Sequence, residues 1–266
     1  MGEPLVSVLL CVYNPNKEQF REAVNSIIGQ TFKHWEMILY DDGSDKEYKN
    51  FIHEVSCLDE RIQYLRNESH HSLAYGLNES MKLAKGKYLA RMDADDISHP
   101  RRFEKQFQFL EEHTLFMWVG SNISLIDAKG KNWGERQYPK VPREKDFLKY
   151  SPYAHPSIMI RREKLLYYGG YKTGQHPYRS EDYELFMRLH AAGEQGFNLQ
   201  EKLLSYREYE EAYQKRTFRF QYQEMLVRLQ GFFRLKLLNP ITFCYVVKPL
   251  IVWAIPNKFI YALKHK

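Results

Sequence analysis

The fold is decided by a short apolar stretch that ends abruptly in carboxylates, Lys87-Tyr88-Leu89-Ala90-Arg91-Met92-Asp93-Ala94-Asp95-Asp96. Its first half predicts a β-strand and its second half an acidic loop. Because successive side chains of an extended chain point to opposite sides, Asp93 and Asp95 are expected to face the same side. Hard divalent cations such as Mg²⁺ or Mn²⁺ bind one or two carboxylates together with the phosphates of a substrate. The stretch therefore predicts a metal site that also takes a nucleotide diphosphate.

A purely structural role for the same acids is the alternative. Asp95, Asp96 or Ser98 would cap the helix that begins near Pro100, because Asp and Ser are favoured at helix N-caps and acids suit the first turn. The sequence patterns of the neighbouring segments indicate which of the two roles applies.

The chain before the stretch has the pattern of a parallel α/β sheet. Residues 5–13 form a nearly continuous apolar run, typical of a strand buried on both faces. An amphipathic helix is predicted at 18–30 and a second strand at 35–40. This order of elements predicts a right-handed parallel crossover.

Polar residues follow the ends of these strands. Tyr13 ends the first, and Asp41-Asp42-Gly43-Ser44 follows the second. Ligands of open parallel sheets bind beyond the carboxyl ends of the strands, so these residues and the acidic loop are expected to share one edge. An ordinary turn explains the Asp-Gly segment equally well when it is taken alone. Further elements are predicted as helices at 47–55, 73–84, 101–113 and from Ser180, and as strands at 61–66, 119–126 and 155–160.

Several of these segments, taken in order, closely resemble the family 2 glycosyltransferases. The resemblance covers roughly residues 4–207, and it is carried by Val6 to Asn14, Gln30-Thr31-Phe32, Asp41 to Ser44, Leu73 to Asn78, Ala84 to Tyr88, and Arg91 to Asp96. It implies the GT-A fold, a mostly parallel central sheet flanked by helices. It also implies inverting transfer of a sugar from a nucleotide-diphosphate donor, with UDP as the expected nucleotide and Mg²⁺ or Mn²⁺ as the cofactor.

The same resemblance assigns roles to particular residues. Asp93 and Asp95 would hold the metal. Asp93 would also contact the nucleotide, together with Cys11, Tyr13, Asp41 and Asn78. Cys11 departs from the family, in which a polar residue such as Thr is common at this position.

A second motif of the family, Glu-Asp at the start of a helix, is matched by Glu181-Asp182. The resemblance makes Asp182 the general base, with Glu181 beside it. Local sequence offers a structural explanation, since Ser180 suits an N-cap and acids suit the first turn. A helix N-terminus lowers the basicity of an acid, so a base here needs desolvation or the neighbouring Glu181 to counter that effect.

Two further positions concern the acceptor and the metal. His155 is a candidate for the acceptor side of the site, although a lone His at a strand edge is more often structural. Many relatives place a His shortly after a Tyr-Arg pair, where it joins the metal. This chain has Tyr206-Arg207-Glu208-Tyr209 instead. Metal binding is therefore expected to depend strongly on the nucleotide, unless Glu208 substitutes for the missing His.

Composition indicates a globular protein with a basic tail. The 266 residues are 44% hydrophobic and carry a net charge of +6. Residues 212–266 contain ten Lys or Arg and one acid, so the tail carries +9 and the remainder −3. Three widely spaced cysteines and the absence of an export segment before the first strand favour the cytoplasm. The predicted division is a catalytic domain at 1–211 and a helical basic and aromatic tail at 212–266.

The tail predicts a location as well as a structure. Ile241 to Ile255 is shorter than the roughly 20 apolar residues that a membrane-spanning helix needs. Its aromatic and basic residues instead favour an anchor on the inner leaflet of the membrane, near a saccharide or lipid-linked saccharide acceptor. A helical lid packed over the domain is the alternative.

Two other functions are each compatible with part of the sequence. A sugar nucleotidyltransferase would need a glycine-rich phosphate loop after the first strand, and Asn14-Pro15-Asn16-Lys17 is a poor match. A non-catalytic module that binds membrane or nucleic acid leaves the clustered acids unexplained, and no nucleic-acid partner is expected.

Overall fold

A computed structural model describes residues 3–174, 180–209 and 217–254. Its strands are β1 Val6–Val12, β2 Trp35–Asp41, β3 Ile62–Arg66, β4 Tyr88–Met92, β5 Ile97–Ser98, β6 Phe116–Ile126, β7 Asn132–Arg136, β8 Met159–Arg161 and β9 Gln195–Arg207. Its helices are α1 Lys17–Ile28, α2 Lys46–Ser56, α3 Leu73–Leu83, α4 Arg102–Glu112, α5 Arg162–Tyr167, α6 Glu181–Ala191, α7 Phe218–Arg234 and α8 Phe243–Ala254, with two 3₁₀ turns at Glu144–Leu148 and His155–Ser157.

One sheet contains the nine strands of the described residues, in the order β3-β2-β1-β4-β8-β6-β9-β5, with β7 paired to β6. The four strands β3, β2, β1 and β4 are parallel, as the apolar runs predict. Beyond β4 the sheet is mixed, because β8 is antiparallel to both β4 and β6 while β9 runs parallel to β6. The first half of the sheet thus supplies the shared carboxyl edge, where Val12 pairs with Asp41 and Leu10 with Met92.

Alternation along β1 separates two cores, one on each face of the sheet. Val8 and Leu10 belong to the core that α1, α2 and α4 cover, and Leu9 belongs to the core beneath α3 and α6. The tail helices also contribute to the second core, through residues such as Phe232 of α7 and Val246 of α8. This second face of the sheet is therefore covered by helices of both the catalytic region and the tail.

The tail packs closely on α6. Gly231 of α7 lies so near Met187 of α6 that an added Cβ would come within 2.3 Å of the sulfur. Arg228 lies over the ring of Tyr183 and donates to the carbonyl of Leu148 at 3.1 Å. The described part of the tail thus packs against the domain, as the lid alternative expects, while the predicted boundary at 211/212 lies outside the described residues. Across the residues described, no helix reaches the length and apolarity required to traverse a bilayer.

One prediction of local structure is wrong, and one long strand has no predicted counterpart. The strand predicted at 155–160 begins only at Met159, because Pro156 has no N–H to give to a ladder and the segment before it forms a 3₁₀ turn. Strand β9 was not predicted at all. Its pairing with β6 shifts register at three places, so its polar and apolar residues do not alternate.

Candidate active site

A cavity of about 740 Å³ opens at the carboxyl end of β4, between the acidic loop and the start of α6. It is lined by Arg91, Asp93, His155, Glu181 and Asp182, among others. The acids at 93 and at 181–182, which are far apart in sequence, therefore meet at one cavity. Its volume lies within the range of about 300–1,000 Å³ that is typical of ligand sites.

The start of α6 presents two adjacent carboxyls to this cavity. Ser180 occupies the N-cap position as predicted, but its side chain makes no capping hydrogen bond. Burial raises the pKa of both Glu181 and Asp182, and the charge of Asp93 raises them further. Hydrogen bonds from the backbone at the helix start and the charge of Arg91 lower both pKa values, but burial has the larger effect. The carboxyls are thus more basic than ordinary surface acids.

The acidic loop after β4 holds its three carboxylates in different ways. Asp93 forms an ion pair with Arg91. The carboxyl of Asp95 is hydrogen-bonded to the Tyr209 hydroxyl, and its pKa is raised by burial and then by Asp93. Asp96 is fully buried and accepts from the backbone N–H of Arg207 at 2.8 Å, which ties the loop to β9.

The alternative in which these acids cap the next helix is wrong. Helix α4 begins after Arg101, whose side chain makes no capping bond. The side chain of Asp96 accepts instead from the backbone of β9. Its second oxygen is buried without a hydrogen-bond partner.

The donor set of the loop fits a divalent cation that is shared with a substrate. Asp93 and Asp95 are close enough for their charges to raise the pKa of Asp95, and a cation between them would relieve that repulsion. No three His, Cys, Asp or Glu side chains meet in an arrangement that could hold a metal by themselves, within the part of the chain that the structure describes. Two carboxylates suit Mg²⁺ or Mn²⁺ completed by phosphate oxygens and water.

Tyr209 stands where the resemblance leads us to expect a metal-binding histidine. Its hydroxyl contacts the carboxylate of Asp95 and lies 2.7 Å from Gln19 Oε1, so its one proton is shared between these two acceptors. Glu208, the suggested substitute, lies 3.6 Å from Arg136.

The residues predicted to contact the nucleoside lie on the neighbouring strand ends. Tyr13 is half exposed and stacks on His70, with ring centroids 3.9 Å apart. The Cys11 thiol packs under α3, and burial raises its pKa to about 12. Asp41 is fully buried, where it accepts from Tyr64 Oη at 3.0 Å and is paired with Arg66. The carboxylate also accepts from the backbone N–H of Ser44 at 2.9 Å, which holds the loop after β2 in place.

Asn78 and His155 belong to one network around Tyr171. The Asn78 amide donates to the carbonyl of Tyr171 at 2.8 Å and accepts from its N–H at 2.9 Å. The hydroxyl of Tyr171 lies 2.7 Å from His155 Nε2. Burial lowers the pKa of His155 far below its usual range, with Arg91 adding to the effect. Neutral His155 therefore lines the cavity, whereas Asn78 supports its wall from behind.

Sequence reasoning gave no role to Arg91, the cation at the centre of the site. The side chain is almost fully buried, and its Nε has no hydrogen-bond partner. It acts electrostatically on both pairs of carboxyls, at 93–95 and at 181–182. The available signal was a single charged residue in an otherwise apolar strand, since a lone buried cation requires anionic partners.

Comparisons with known proteins show the family to which the chain belongs. The sequence model of the family described as Glycosyl transferase family 2 matches residues 7–169. The chain is 36% identical over 250 residues to the putative glycosyltransferase EpsE of Bacillus subtilis (strain 168). The aligned region covers 93% of this chain and 88% of that protein. The chain is also 32% identical over 219 residues to the O-antigen biosynthesis glycosyltransferase WbnJ of Escherichia coli, covering 79% and 82%.

A solved structure shows the same fold. The crystal structure of S. aureus TarS 1-349 in complex with UDP-GlcNAc matches with a TM-score of 0.69 at 16% identity, covering 98% of this chain and 76% of that one. The expected GT-A fold is thereby confirmed. The family match and the relatives named as glycosyltransferases set aside the nucleotidyltransferase and non-catalytic alternatives. The chain belongs to glycosyl transferase family 2 and is a glycosyltransferase.

Proposed function

We propose that the enzyme transfers a sugar, with inversion, from a UDP-sugar to a saccharide or lipid-linked saccharide in the synthesis of a cell-surface polysaccharide. The observation that carries the proposal is that Asp93 and Asp182 line the same cavity. The donor class is supported by the complex of TarS with UDP-GlcNAc, and the pathway by the relative WbnJ, an O-antigen biosynthesis glycosyltransferase.

Asp182 is the general base of this reaction. Its carboxylate accepts the proton of the acceptor hydroxyl while that oxygen attacks the anomeric carbon. The bond from this carbon to the diphosphate breaks on the opposite face, and the diphosphate leaves with the electron pair. A base whose pKa is raised by burial removes such a proton more readily than an ordinary aspartate.

The donor is held on the other side of the cavity. Asp93 and Asp95 would hold Mg²⁺ or Mn²⁺, which would neutralise the charge that develops on the leaving diphosphate. Arg91 lines the same cavity, and its Nε, which has no hydrogen-bond partner in the protein, would donate to the bound nucleotide-sugar. The nucleoside would lie at the strand ends beside Cys11 and Tyr13, above the loop that Asp41 holds.

A thermal-shift panel tests the donor class. UDP, GDP and dTDP are each added with and without Mn²⁺, because a ligand that binds the folded state stabilises it by mass action. We expect UDP with Mn²⁺ to raise the melting temperature by several degrees and Mn²⁺ alone to have little effect. The donor assignment fails if no nucleotide stabilises the protein, or if another nucleotide does so better than UDP.

The tail would place the enzyme on the inner leaflet, as a cytoplasmic peripheral protein. Apolar side chains remain exposed beside basic ones on α7, α8 and the turn between them, notably Phe233 at 74% and Ile241 at 81% exposure. Arg234 and Lys236 lie next to Phe233 in sequence. Apolar groups that insert beside cations suit an anionic lipid surface.

Replacing Phe233 and Ile241 together by serine is expected to weaken binding to phosphatidylglycerol vesicles by about tenfold or more, since each side chain loses apolar burial in the interface. Flotation measures the bound fraction. The matched control is Leu115→Ser, which changes a residue that is 84% exposed on another surface. Equal flotation of the double variant, the control and the wild type would remove the membrane assignment.

A further inference from the structure

A second cavity, of about 420 Å³, lies between α6 and α7. We call it the α6–α7 cavity. Among the described residues, Glu181 is the one that lines both this cavity and the larger one. The two spaces therefore meet at the residue next to the proposed base.

Two acceptor oxygens in the wall of this cavity have no donor. Glu181 Oε2 and Gln223 Oε1 are both buried and without a hydrogen-bond partner. Such atoms are rare in folded proteins, because a buried polar atom that loses water without gaining a partner is costly. Both atoms are suited to receive hydrogen bonds from the hydroxyl groups of a ligand.

The other residues that line the cavity indicate which class of ligand fits it. Tyr222 of α7 is half exposed and offers an aromatic face, and Lys172 offers N–H donors. Leu226 supplies an apolar side chain. Lys172 and Arg219 also line the cavity, but Lys172 is already paired with Glu184 at 3.1 Å. The unpartnered oxygens of Glu181 and Gln223 can only accept hydrogen bonds, so they suit hydroxyl groups rather than a phosphate, and a hydrocarbon would leave them unsatisfied. An aromatic face beside hydrogen-bonding groups fits a neutral saccharide.

We propose that the α6–α7 cavity is an acceptor subsite, which binds the sugar unit next to the one whose hydroxyl reaches Asp182. The inference rests on the proposed function. It makes α7 part of the acceptor site, so that the tail helix selects for acceptors of at least two sugar units. Glu181 joins the two subsites, because this residue lines both cavities.

The test compares mono- and disaccharides in binding to the full chain. Methyl glycosides of glucose, galactose and N-acetylglucosamine, and their β-linked disaccharides, are titrated by saturation-transfer NMR in the presence of UDP and Mn²⁺. The variants are Gln223→Leu and Tyr222→Leu. Gln221→Leu is the matched control, since Gln221 lies on the same helix and does not line the cavity.

We expect at least one disaccharide to bind more tightly than its monosaccharide, and both variants to weaken it about tenfold, the effect of losing a hydrogen bond or a stacking contact. Monosaccharide binding and the Gln221→Leu variant should be unchanged. The subsite is refuted if no disaccharide binds, or if the variants bind the disaccharide as the wild type does.

Failure of the subsite and failure of the enzyme mechanism give different results. Release of UDP from a UDP-sugar by water needs no acceptor, so this hydrolysis by the wild type reports on the donor site independently of the subsite. A wild type that hydrolyses donor but shows no effect of the variants overturns the subsite alone. A wild type that neither binds UDP with Mn²⁺ nor hydrolyses any UDP-sugar overturns the proposed function.

Discussion

Replacing Asp182 by asparagine is expected to lower kcat by about 10²–10⁴-fold, the usual contribution of a general base. Asparagine has nearly the same shape but cannot accept the proton of the acceptor hydroxyl. Binding of UDP should be unchanged, because the donor is proposed to lie against Asp93 and Arg91. Initial rates of UDP release with saturating acceptor measure the first effect, and calorimetry measures the second.

The same substitution should not destabilise the fold. The pKa of Asp182 is higher in the folded protein than the ordinary value of 3.8, so its ionised form opposes folding at neutral pH. This cost grows as the pH rises through the folded pKa, and asparagine removes it. A melting temperature equal to or above that of the wild type at neutral pH would show that lost activity is not lost folding.

A matched control for this experiment is Glu163→Gln. Glu163 is an exposed acid in the first turn of another helix, α5. Glu163 has no proposed part in the reaction, so the kcat of the Glu163→Gln variant should equal that of the wild type. Asp182 is not the base if its asparagine variant keeps the wild-type kcat.

Replacing Asp95 by asparagine is expected to weaken UDP binding about 100-fold or more in the presence of Mn²⁺. Loss of a supporting residue in the second shell of a metal site already costs about 10–100-fold in metal affinity, and Asp95 is proposed to touch the metal directly. Asparagine can keep the contact with Tyr209, so the loop should stay in place. Without Mn²⁺ the two proteins should bind UDP equally.

Tyr209→His is the complementary variant. It places an imidazole where the tyrosine hydroxyl now contacts Asp95, and so adds a metal ligand beside two carboxylates. We expect Mn²⁺ to bind this variant without nucleotide, whereas the wild type should require UDP. Tight binding of Mn²⁺ to the empty wild type would contradict the proposed two-carboxylate site.

The sequence was informative where burial dictates residue type on both faces of a strand. β1, β2 and β4 are parallel central strands, so their apolar runs predicted them and the edge where the acids meet. β9 could not be found in this way. It is bulged against β6, and its exposed and buried residues follow no simple period.

Site residues were predictable to the extent that their chemistry is local. The acids at 93 and 182 stand out as carboxylates at the ends of elements, and the structure brings them to one cavity. Asn78 differs, because its amide is used by the backbone of Tyr171, which is 93 residues away. Contacts of this kind depend on the packing of α3 against a distant loop, and no short-range pattern encodes them.

The pH dependence of kcat/KM tests the central claim most directly. If Asp182 is the base in a buried cavity shared with Asp93, activity should be lost as the pH falls through about 6, the pKa to which burial raises this carboxyl. Above that pH the base is ionised and the rate should reach a plateau. An acid limb near the ordinary aspartate value of 3.8, or no acid limb before the protein unfolds, would contradict the account.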